Sequence, residues 1–290
     1  MSYIAHELAT QPECWERAAA LLPELSSALP GSGEHVLAVG CGTSFHAAQA
    51  YASLRAEAGH GVTDAYPASE VPPGRSYDRV VAISRSGTTT EVVRFLGDTR
   101  VPVTALVGVL GTPVAERATS VVNLTFADER SVVQTRFATT ALAILRRSVG
   151  HDLSAAIDDA RTALTDPIPV NVADVRHFVS LGRGWTVGLA NEAALKVREA
   201  SGSFAESYPA MEYRHGPISV AGAGSLVWTF RGVEDDVVTD VRATGATVVA
   251  GERDPMAELV MIHRLAVALA ESKGLDPDHP RHLTRSVVLS

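Results

Sequence analysis

The stretch that indicates the fold is Arg79-Val-Val-Ala-Ile83, followed directly by Ser84-Arg85-Ser86-Gly87-Thr88-Thr89. Its first part is a short apolar run without polar alternation, which predicts a strand buried on both faces. Serines and threonines cluster after this run, and a helix is predicted from about residue 89 to 97. A strand that leads through a tight turn into a helix is typical of a parallel α/β sheet.

The same order of elements recurs along the chain. Two glycine-rich turns, Gly40-Cys-Gly-Thr43 and Gly182-Arg-Gly-Trp-Thr186, lie at the same point of each half. We therefore predict two related α/β domains, residues 1–155 and 156–276, and a polar C-terminal tail, residues 277–290. The other predicted strands are residues 36–39, 103–107, 121–124, 177–181, 225–230 and 247–250. The main predicted helices are residues 10–29, 45–58, 132–149, 154–164, 189–200 and 256–272.

The composition of the 290 residues argues against several classes of protein. A net charge of −8 without a basic stripe argues against a nucleic-acid partner. No apolar run reaches the roughly 20 residues of a membrane span, and the first residues do not resemble a signal peptide. We expect a cytoplasmic protein without a membrane partner. Two cysteines and scattered histidines predict no metal site, and Gly40-Cys-Gly-Thr43 lacks the spacing of a dinucleotide fingerprint, so no cofactor is predicted.

The hydroxyl-rich turn from Ser84 to Thr89 is the first candidate site. Backbone N–H groups at a helix N-terminus and nearby hydroxyls bind phosphate without a net positive charge. Thr43 and Ser44 follow a neighbouring strand, and ligands of open α/β sheets bind at the carboxyl ends of strands. The alternative is a well-capped turn, since Ser and Thr are ordinary N-cap residues.

A second candidate site lies between Glu192 and Pro217. Spacings of four and three place Glu192, Lys196 and Glu199 on one helix face, which is also the pattern of a solvated ladder of ion pairs. His215 is followed by Gly216 and Pro217 in a defined turn. A carboxylate and an imidazole on adjoining elements can move protons beside a carbonyl carbon.

These motifs together resemble the double sugar-isomerase (SIS) domain family. The chain is most similar to the isomerase half of glucosamine-6-phosphate synthase and to stand-alone phosphosugar isomerases and deaminases. The resemblance covers nearly the whole chain. The motifs that carry it are Gly40-Cys-Gly-Thr-Ser44, Ser84-x-Ser86-Gly87-x-Thr89, Gln134-Thr-Arg136-x-x-Thr-Thr140, Glu192-x-Ala-Leu-Lys196-x-x-Glu199, His215-Gly-Pro217 and the tail Pro280-Arg-His-Leu-Thr-Arg285-Ser-Val287.

The resemblance implies two flavodoxin-like SIS domains, each a parallel sheet flanked by helices, in a homodimer with shared active sites and with the tail over the active site. It implies that Glu199 transfers a proton between C1 and C2, that Lys196 lies near it, and that His215 of a partner subunit assists ring opening. It also implies which residues bind the sugar phosphate. By this resemblance the phosphate is bound by Ser44, Ser84, Arg85, Ser86 and Thr89, and the sugar is bound by Thr43, Val132 and Gln134.

Two departures from the family pattern bear on the substrate. No glutamine-hydrolysing domain is present in the sequence, so we expect no built-in source of ammonia. Arg285 occupies the position of a tail lysine that forms a Schiff base, and a guanidinium cannot form that adduct. We therefore predict either an aldose–ketose isomerase of phosphosugars or a deaminase or deglycase of amino-sugar phosphates. The alternative is a regulatory protein that binds a sugar phosphate without catalysis.

Overall fold

The structure is a computed structural model that describes residues 2–289. By its internal contacts the chain divides into two compact units. The N-terminal unit contains Glu13–Arg130, Gln134–Leu153 and the chain from Thr284 onward. The C-terminal unit contains Ser154–Leu283, with Ser131–Val133 and the chain up to Pro12.

The N-terminal unit is a five-stranded parallel sheet with the strand order β2-β1-β3-β4-β5. Its strands are β1 (Val36–Gly40), β2 (Thr63–Pro67), β3 (Arg79–Ser84), β4 (Val103–Val107) and β5 (Ser120–Asn123). Helix α2 (Gln11–Leu25) belongs to this unit from Glu13 onward. The other helices of the unit are α3 (Thr43–Glu57), α4 (Thr90–Asp98), α5 (Pro113–Arg117) and α6 (Arg136–Ser148). Strands β1 and β4 are buried along their whole length, as the unbroken apolar runs predict.

The C-terminal unit is a four-stranded parallel sheet with the strand order β7-β6-β8-β9. Its strands are β6 (His177–Gly182), β7 (Phe204–Pro209), β8 (Ser225–Thr229) and β9 (Thr247–Ala250). Its helices are α1 (Tyr3–Ala9), α7 (Ser154–Thr165), α8 (Thr186–Ser201), α9 (Ala210–Tyr213), α10 (Asp235–Ala243) and α11 (Pro255–Ser272). The predicted α/β class with two parallel sheets is confirmed.

Each unit has its own hydrophobic core, in which the strands pack against their flanking helices. In the N-terminal unit Val80 and Ala82 of β3 pack with Val92 of α4. In the C-terminal unit Val179 of β6 packs with Val237 of α10. Burial of a valine or leucine side chain stabilises a fold by about 1.5–3 kcal/mol. These contacts hold the carboxyl ends of the strands, where the candidate residues lie.

Gly40 and Gly182 occupy equivalent positions at the ends of β1 and β6. A Cβ atom at Gly40 would lie 2.6 Å from the backbone carbon of Ser44, and one at Gly182 would lie 2.3 Å from the backbone oxygen of Thr186. Any side chain would therefore separate the strand from the helix that follows it. The close approach explains why the glycine turns recur in both halves of the sequence.

Two predicted helix boundaries are wrong, and two strands were not predicted. The helix expected from residue 132 begins only at Arg136, because residues 131–135 form bends and coil. The helix expected from residue 10 to 29 ends at Leu25, and the separate helix α1 precedes it. The missed strands are β2 and β7, each of which is one of the two edge strands of its sheet.

Candidate functional site

The hydroxyl-rich turn is held in one conformation by its own hydrogen bonds. Ser84 Oγ accepts from the Gly87 backbone N–H at 3.2 Å, and Ser86 Oγ accepts from the Thr88 N–H at 3.2 Å. Gly87 has a φ of +67°, and a Cβ atom there would lie 2.0 Å from Thr112 Oγ1. Only glycine fits this position, so the turn has a defined shape before any ligand binds.

Most of the residues predicted to bind the sugar phosphate line one small cavity in the N-terminal unit. The cavity has a volume of about 30 Å³. The predicted residues that line it are Ser44, Ser84, Arg85, Ser86, Thr89, Gln134 and Arg285. Strands β1 and β3 are neighbours in the sheet, so Ser44 after β1 and Ser84 at the end of β3 meet at one edge. Thr43 is buried at the first position of α3 and does not line the cavity.

The C-terminal tail lies on this turn. Ser286 Oγ is 3.1 Å from Ser86 Oγ and 3.0 Å from Thr88 Oγ1. The Thr90 N–H donates to Val287 O at 3.1 Å, and Arg85 Nη2 donates to Arg285 O at 2.7 Å. The tail therefore covers the turn, and only the cavity of about 30 Å³ remains beneath it.

Arg285 is fixed by an acidic residue that the sequence analysis did not single out. Its Nη2 lies 2.5 Å and 2.8 Å from the two carboxylate oxygens of Asp128, and its Nη1 donates to Glu129 O. The Glu129 carboxylate is fully buried and accepts from the backbone N–H groups of Thr135, Arg136 and Phe137 at 2.6, 2.9 and 3.1 Å. Glu129 therefore caps α6 and explains why this helix begins at Arg136.

In the C-terminal unit, α8 carries the three charged residues that the spacing placed on one face. Lys196 Nζ donates to Glu199 Oε2 and lies 3.5 Å from Glu192 Oε1. The side chains of Lys196 and Glu192 are 1% and 6% exposed, whereas that of Glu199 is 20% exposed. The alternative of a solvated ladder is wrong for Lys196 and Glu192. The buried ammonium instead holds the carboxylate of Glu199 at the edge of solvent.

A buried histidine lies close to this cluster. His263 on α11 is fully buried, and its Nδ1 is 3.5 Å from Gln11 Nε2. Burial lowers the pKa of His263 from its ordinary value of 6.5 to about 3, Glu192 opposes the shift, and Lys196 adds to it. The imidazole is therefore neutral at ordinary pH and adds no charge beside Lys196.

His215 and Val132 complete the predicted set. His215 is exposed in the turn after α9, where its backbone N–H donates to Glu212 O at 3.0 Å. The φ of Gly216, the next residue, is +142°, a conformation that fixes the turn and that side chains rarely adopt. Val132 belongs to the C-terminal unit, between Ser131 and Val133. The Ser131 N–H donates to Glu7 Oε2 at 3.2 Å.

Two general findings concern the described residues. Among residues 2–289, no helix is long and apolar enough to cross a membrane. Within the same residues, no group of three or more His, Cys, Asp or Glu side chains is arranged to hold a metal ion.

Burial raises the pKa of the Cys41 thiol beside the hydroxyl-rich turn, which disfavours the thiolate that a nucleophile requires.

Comparison with known proteins gives several relatives. No protein-family model matches the chain. Glutamine–fructose-6-phosphate aminotransferase (isomerizing) of Sulfurisphaera tokodaii is 29% identical over 89% of this chain and 50% of its own length. The match to these curated relatives covers most of this chain, but the chain spans only about half of their length.

Solved structures share the fold. Glucosamine-6-phosphate deaminase of Thermotoga maritima has a TM-score of 0.81 at 22% identity and covers 99% of this chain and 100% of its own. Tagatose-6-phosphate ketose/aldose isomerase of Escherichia coli has a TM-score of 0.80 at 18% identity, with 97% of each chain covered. This chain therefore shares with both structures a fold of two parallel α/β units. Over most of its length the chain is similar in sequence to about half of these aminotransferases.

Proposed function

We propose that this protein transfers a proton between C1 and C2 of a sugar phosphate, as an aldose–ketose isomerase or as a deaminase or deglycase of an amino-sugar phosphate. The observation that carries the proposal is the pair formed by Lys196 and Glu199. A buried ammonium fixes a carboxylate that remains partly open to solvent. A carboxylate held in this way is suited to act as a general base.

The proposed phosphate site is the hydroxyl-rich turn before α4. Hydroxyl groups of Ser86 and Thr88 and the N–H groups at the start of a nine-residue helix supply donors for phosphate oxygens. Ser286 Oγ now bonds both hydroxyls. A phosphate oxygen can replace it, provided that the tail moves away from the turn, since Ser286 Oγ and Val287 O now occupy these donors.

The proposed chemistry passes through an enediol, or through an enaminol when the substrate carries nitrogen. Glu199 removes a proton from C1 or C2 of the open-chain sugar, and the electron pair of the broken C–H bond forms the C1–C2 double bond. As the double bond forms, the π pair of the carbonyl moves onto its oxygen, which takes up a proton. Glu199 then gives its proton to the carbon that carried the carbonyl, while the hydroxyl on the other carbon loses its proton and becomes the new carbonyl. When the substrate carries nitrogen, an imine takes the place of the new carbonyl, and its hydrolysis by water releases the amine. General base catalysis of this kind contributes about 10²- to 10⁴-fold in rate.

An imine between the protein and the substrate is not part of this mechanism. Arg285 cannot form one, and its guanidinium is bonded to Asp128. Lys196 is buried and its side chain is engaged by the carboxylates of Glu192 and Glu199. A substrate that already carries an amino group needs no imine with the protein, which supports the deaminase or deglycase form of the proposal.

His215 is proposed to assist ring opening in the active site of a partner subunit, within a homodimer. The side chain is exposed on a turn that His215-Gly216-Pro217 fixes. An exposed imidazole on a rigid turn is available to a second copy of the chain, where it can transfer a proton to or from the ring oxygen.

The test is turnover of a panel of sugar phosphates. NMR follows isomerisation and a coupled assay follows the release of ammonia. The substrates are fructose 6-phosphate, glucose 6-phosphate, tagatose 6-phosphate and glucosamine 6-phosphate. We expect Glu199→Gln to lower kcat by about 10²- to 10⁴-fold with KM changed little. Glu212→Gln, at an exposed carboxylate on α9, is the matched control. Near-normal turnover by Glu199→Gln would contradict the proposal, and tight binding of the panel without turnover would favour the regulatory alternative.

A further inference from the structure

A cluster of three polar side chains on the sheet of the C-terminal unit has no part in the proposed function. His177 is the first residue of β6, and Ser225, its paired partner, is the first residue of β8. Glu206 lies on β7, which pairs with β6 on the other side. Paired residues of parallel strands point to the same face, as do residues two apart on one strand. His177 pairs with Phe204, two residues before Glu206, so the three side chains share one face.

Hydrogen bonds join the three side chains in one line. Ser225 Oγ lies 3.2 Å from His177 Nδ1, and His177 Nε2 lies 2.9 Å from Glu206 Oε2. A carboxylate only accepts hydrogen bonds, so Nε2 carries the proton of the neutral imidazole, and Nδ1 is left as the acceptor for the serine hydroxyl. A hydroxyl, a base that receives its proton and a carboxylate that orients the base together form the arrangement of an activated serine.

Neighbouring groups hold each member of this line. The Tyr208 hydroxyl donates to the second oxygen of the carboxylate, Oε1, at 2.9 Å. The ring of Phe204 packs beside the imidazole, with 5.4 Å between the ring centroids. The Gly222 N–H donates to Ser225 Oγ at 3.3 Å, which occupies a lone pair of the hydroxyl and leaves its proton for Nδ1. The side chains that carry the imidazole and the carboxylate are 11% and 23% exposed, so the line is shielded from solvent but not sealed.

Ser225 lines a cavity of about 250 Å³ in the same unit. Apolar residues form much of its wall, namely Pro169, Val170, Val175 and Leu226. Small-molecule sites have volumes of about 300–1,000 Å³, so a cavity near the lower limit admits a short acyl chain and no large group. Gly224 also lines the cavity, and within residues 2–289 its N–H group donates no hydrogen bond. This N–H, next to the serine, is available to stabilise a negatively charged oxygen.

We propose that Ser225, His177 and Glu206 form an esterase site that cleaves small carboxylic esters with a short acyl group. Ser225 is the nucleophile, His177 is the general base and acid, and Glu206 is a positioning residue that fixes the tautomer of the imidazole. The cavity beside Ser225 takes the acyl group. This activity is separate from proton transfer in a sugar phosphate, because it uses none of the residues proposed for that reaction.

The reaction conserves atoms and charge in two steps. The Ser225 oxygen bonds to the ester carbonyl carbon, its proton passes to His177 Nδ1, and the π pair of the carbonyl moves onto the oxygen beside the Gly224 N–H. As the carbonyl re-forms, the bond to the alcohol oxygen breaks, and this oxygen takes the proton from Nδ1. Water then repeats both steps at the acyl carbon, which releases the carboxylic acid and restores the serine hydroxyl.

The first test traps the serine. Diisopropyl fluorophosphate forms an Oγ–P bond with a serine that has an active base, and fluoride leaves. We expect the diisopropylphosphoryl group on Ser225, located by mass spectrometry of peptides. Ser225→Ala and His177→Gln should take up no label at this position, whereas Ser219→Ala, at an exposed serine, should be labelled like the unaltered chain. An unaltered chain that is labelled only elsewhere, or not at all, would overturn the proposal.

Turnover is followed with 4-nitrophenyl acetate, whose acetyl group is small enough for the cavity. We expect Ser225→Ala and His177→Gln each to lower the rate of 4-nitrophenolate release by at least about tenfold, and Ser219→Ala to leave it unchanged. Ser225→Ala removes a single oxygen atom, and circular dichroism checks that the fold is retained. Equal release by Ser225→Ala and the unaltered chain would overturn the proposal, since other groups would then cleave the ester.

The role of Glu206 has a separate readout. Nitrogen NMR of the His177 imidazole measures which ring nitrogen carries the proton. We expect Nε2–H alone in the unaltered chain. Glu206→Gln keeps the shape of the side chain but can also donate to Nε2, so we expect both tautomers and slower labelling of Ser225. A labelling rate that does not depend on the tautomer would overturn this role.

Discussion

Arg285 Nη2 contacts both carboxylate oxygens of Asp128, at 2.5 and 2.8 Å, and this pair ties the C-terminal tail to the N-terminal unit. The next residue, Ser286, bonds the hydroxyls of Ser86 and Thr88. Arg285 is therefore bound to the protein itself, and its contacts are those of an anchor for the tail.

Breaking this anchor should loosen the tail without unfolding the unit. The side chains of Arg285 and Asp128 are 38% and 31% exposed, so we expect Arg285→Gln to lower the free energy of unfolding by at most about 1 kcal/mol. Limited proteolysis should cleave the tail several-fold faster than in the unaltered chain. Arg242→Gln serves as the control. Unchanged cleavage in Arg285→Gln would show that the ion pair does not hold the tail.

Removal of the buried cation on α8 should destabilise the C-terminal unit strongly. Lys196→Met leaves the carboxylate of Glu192 buried without its partner, and breaking a buried pair in this way costs about 3–5 kcal/mol. The free energy of unfolding from urea titrations followed by circular dichroism measures the loss. The double variant Glu192→Gln/Lys196→Met should recover a large part of it, because the unpaired charge is gone. A loss below about 1 kcal/mol in the single variant would be inconsistent with a buried pair.

The buried imidazole of His263 should make stability depend on pH. Its pKa in the folded chain is about 3, so the unfolded chain binds the proton first as the pH falls below the ordinary value of 6.5. Stability is then lost between pH 6.5 and about 3, with a slope of about 1.4 kcal/mol per pH unit from this group.

Urea titrations at pH 6.5, 5.5 and 4.5 measure this slope. We expect His263→Gln to reduce it by about 1.4 kcal/mol per pH unit. His6→Gln, at an exposed histidine, should retain the slope of the unaltered chain. Equal slopes for His263→Gln and the unaltered chain would mean that the imidazole is not held neutral by burial.

Mixed dimers test whether His215 acts in the active site of a partner subunit. Glu199→Gln and His215→Asn chains should each be inactive alone. If active sites are shared, one of the two sites in each mixed dimer is complete, and about half of the full activity returns in the purified mixed dimer. Co-expression of the two differently tagged chains and purification through both tags isolates the mixed dimer. A mixed dimer as inactive as its parents would exclude this role for His215.

The sequence predicted the central strands of both sheets well, together with the edge strands β5 and β9, but missed the other edge strand of each sheet. Runs such as Val80-Val81-Ala82-Ile83 are continuous because both faces of the strand are buried. The edge strands β2 and β7 read Thr-Asp-Ala-Tyr-Pro and Phe-Ala-Glu-Ser-Tyr-Pro, with polar residues and a final proline. Their stability comes from pairing with β1 and β6, which no local pattern reveals.

The candidate residues were easier to find than their partners. Hydroxyl clustering pointed to Ser84–Thr89, and the resemblance pointed to Glu199 and Arg285. Asp128 and Ser286 were missed because each contacts residues more than 150 positions away in the chain. The Glu129 carboxylate accepts from backbone N–H groups six to eight residues further along the chain. The usual capping pattern joins groups only about three residues apart, so Glu129 was missed. The burial of Lys196 depends on packing between helices, so spacing alone could not separate it from a solvated residue.

Exchange of substrate protons with solvent tests the central claim most directly. Fructose 6-phosphate and glucosamine 6-phosphate are incubated with the protein in D₂O, and NMR follows deuterium at C1 and C2. Because the Glu199 side chain is 20% exposed, the proton that it removes exchanges with D₂O before a proton is returned to carbon, so we expect deuterium at C1 or C2 of at least one substrate. Glu199→Gln should slow this exchange by about 10²- to 10⁴-fold while the ligand still binds. Binding without exchange in the unaltered protein, or equal exchange in Glu199→Gln, would contradict the account.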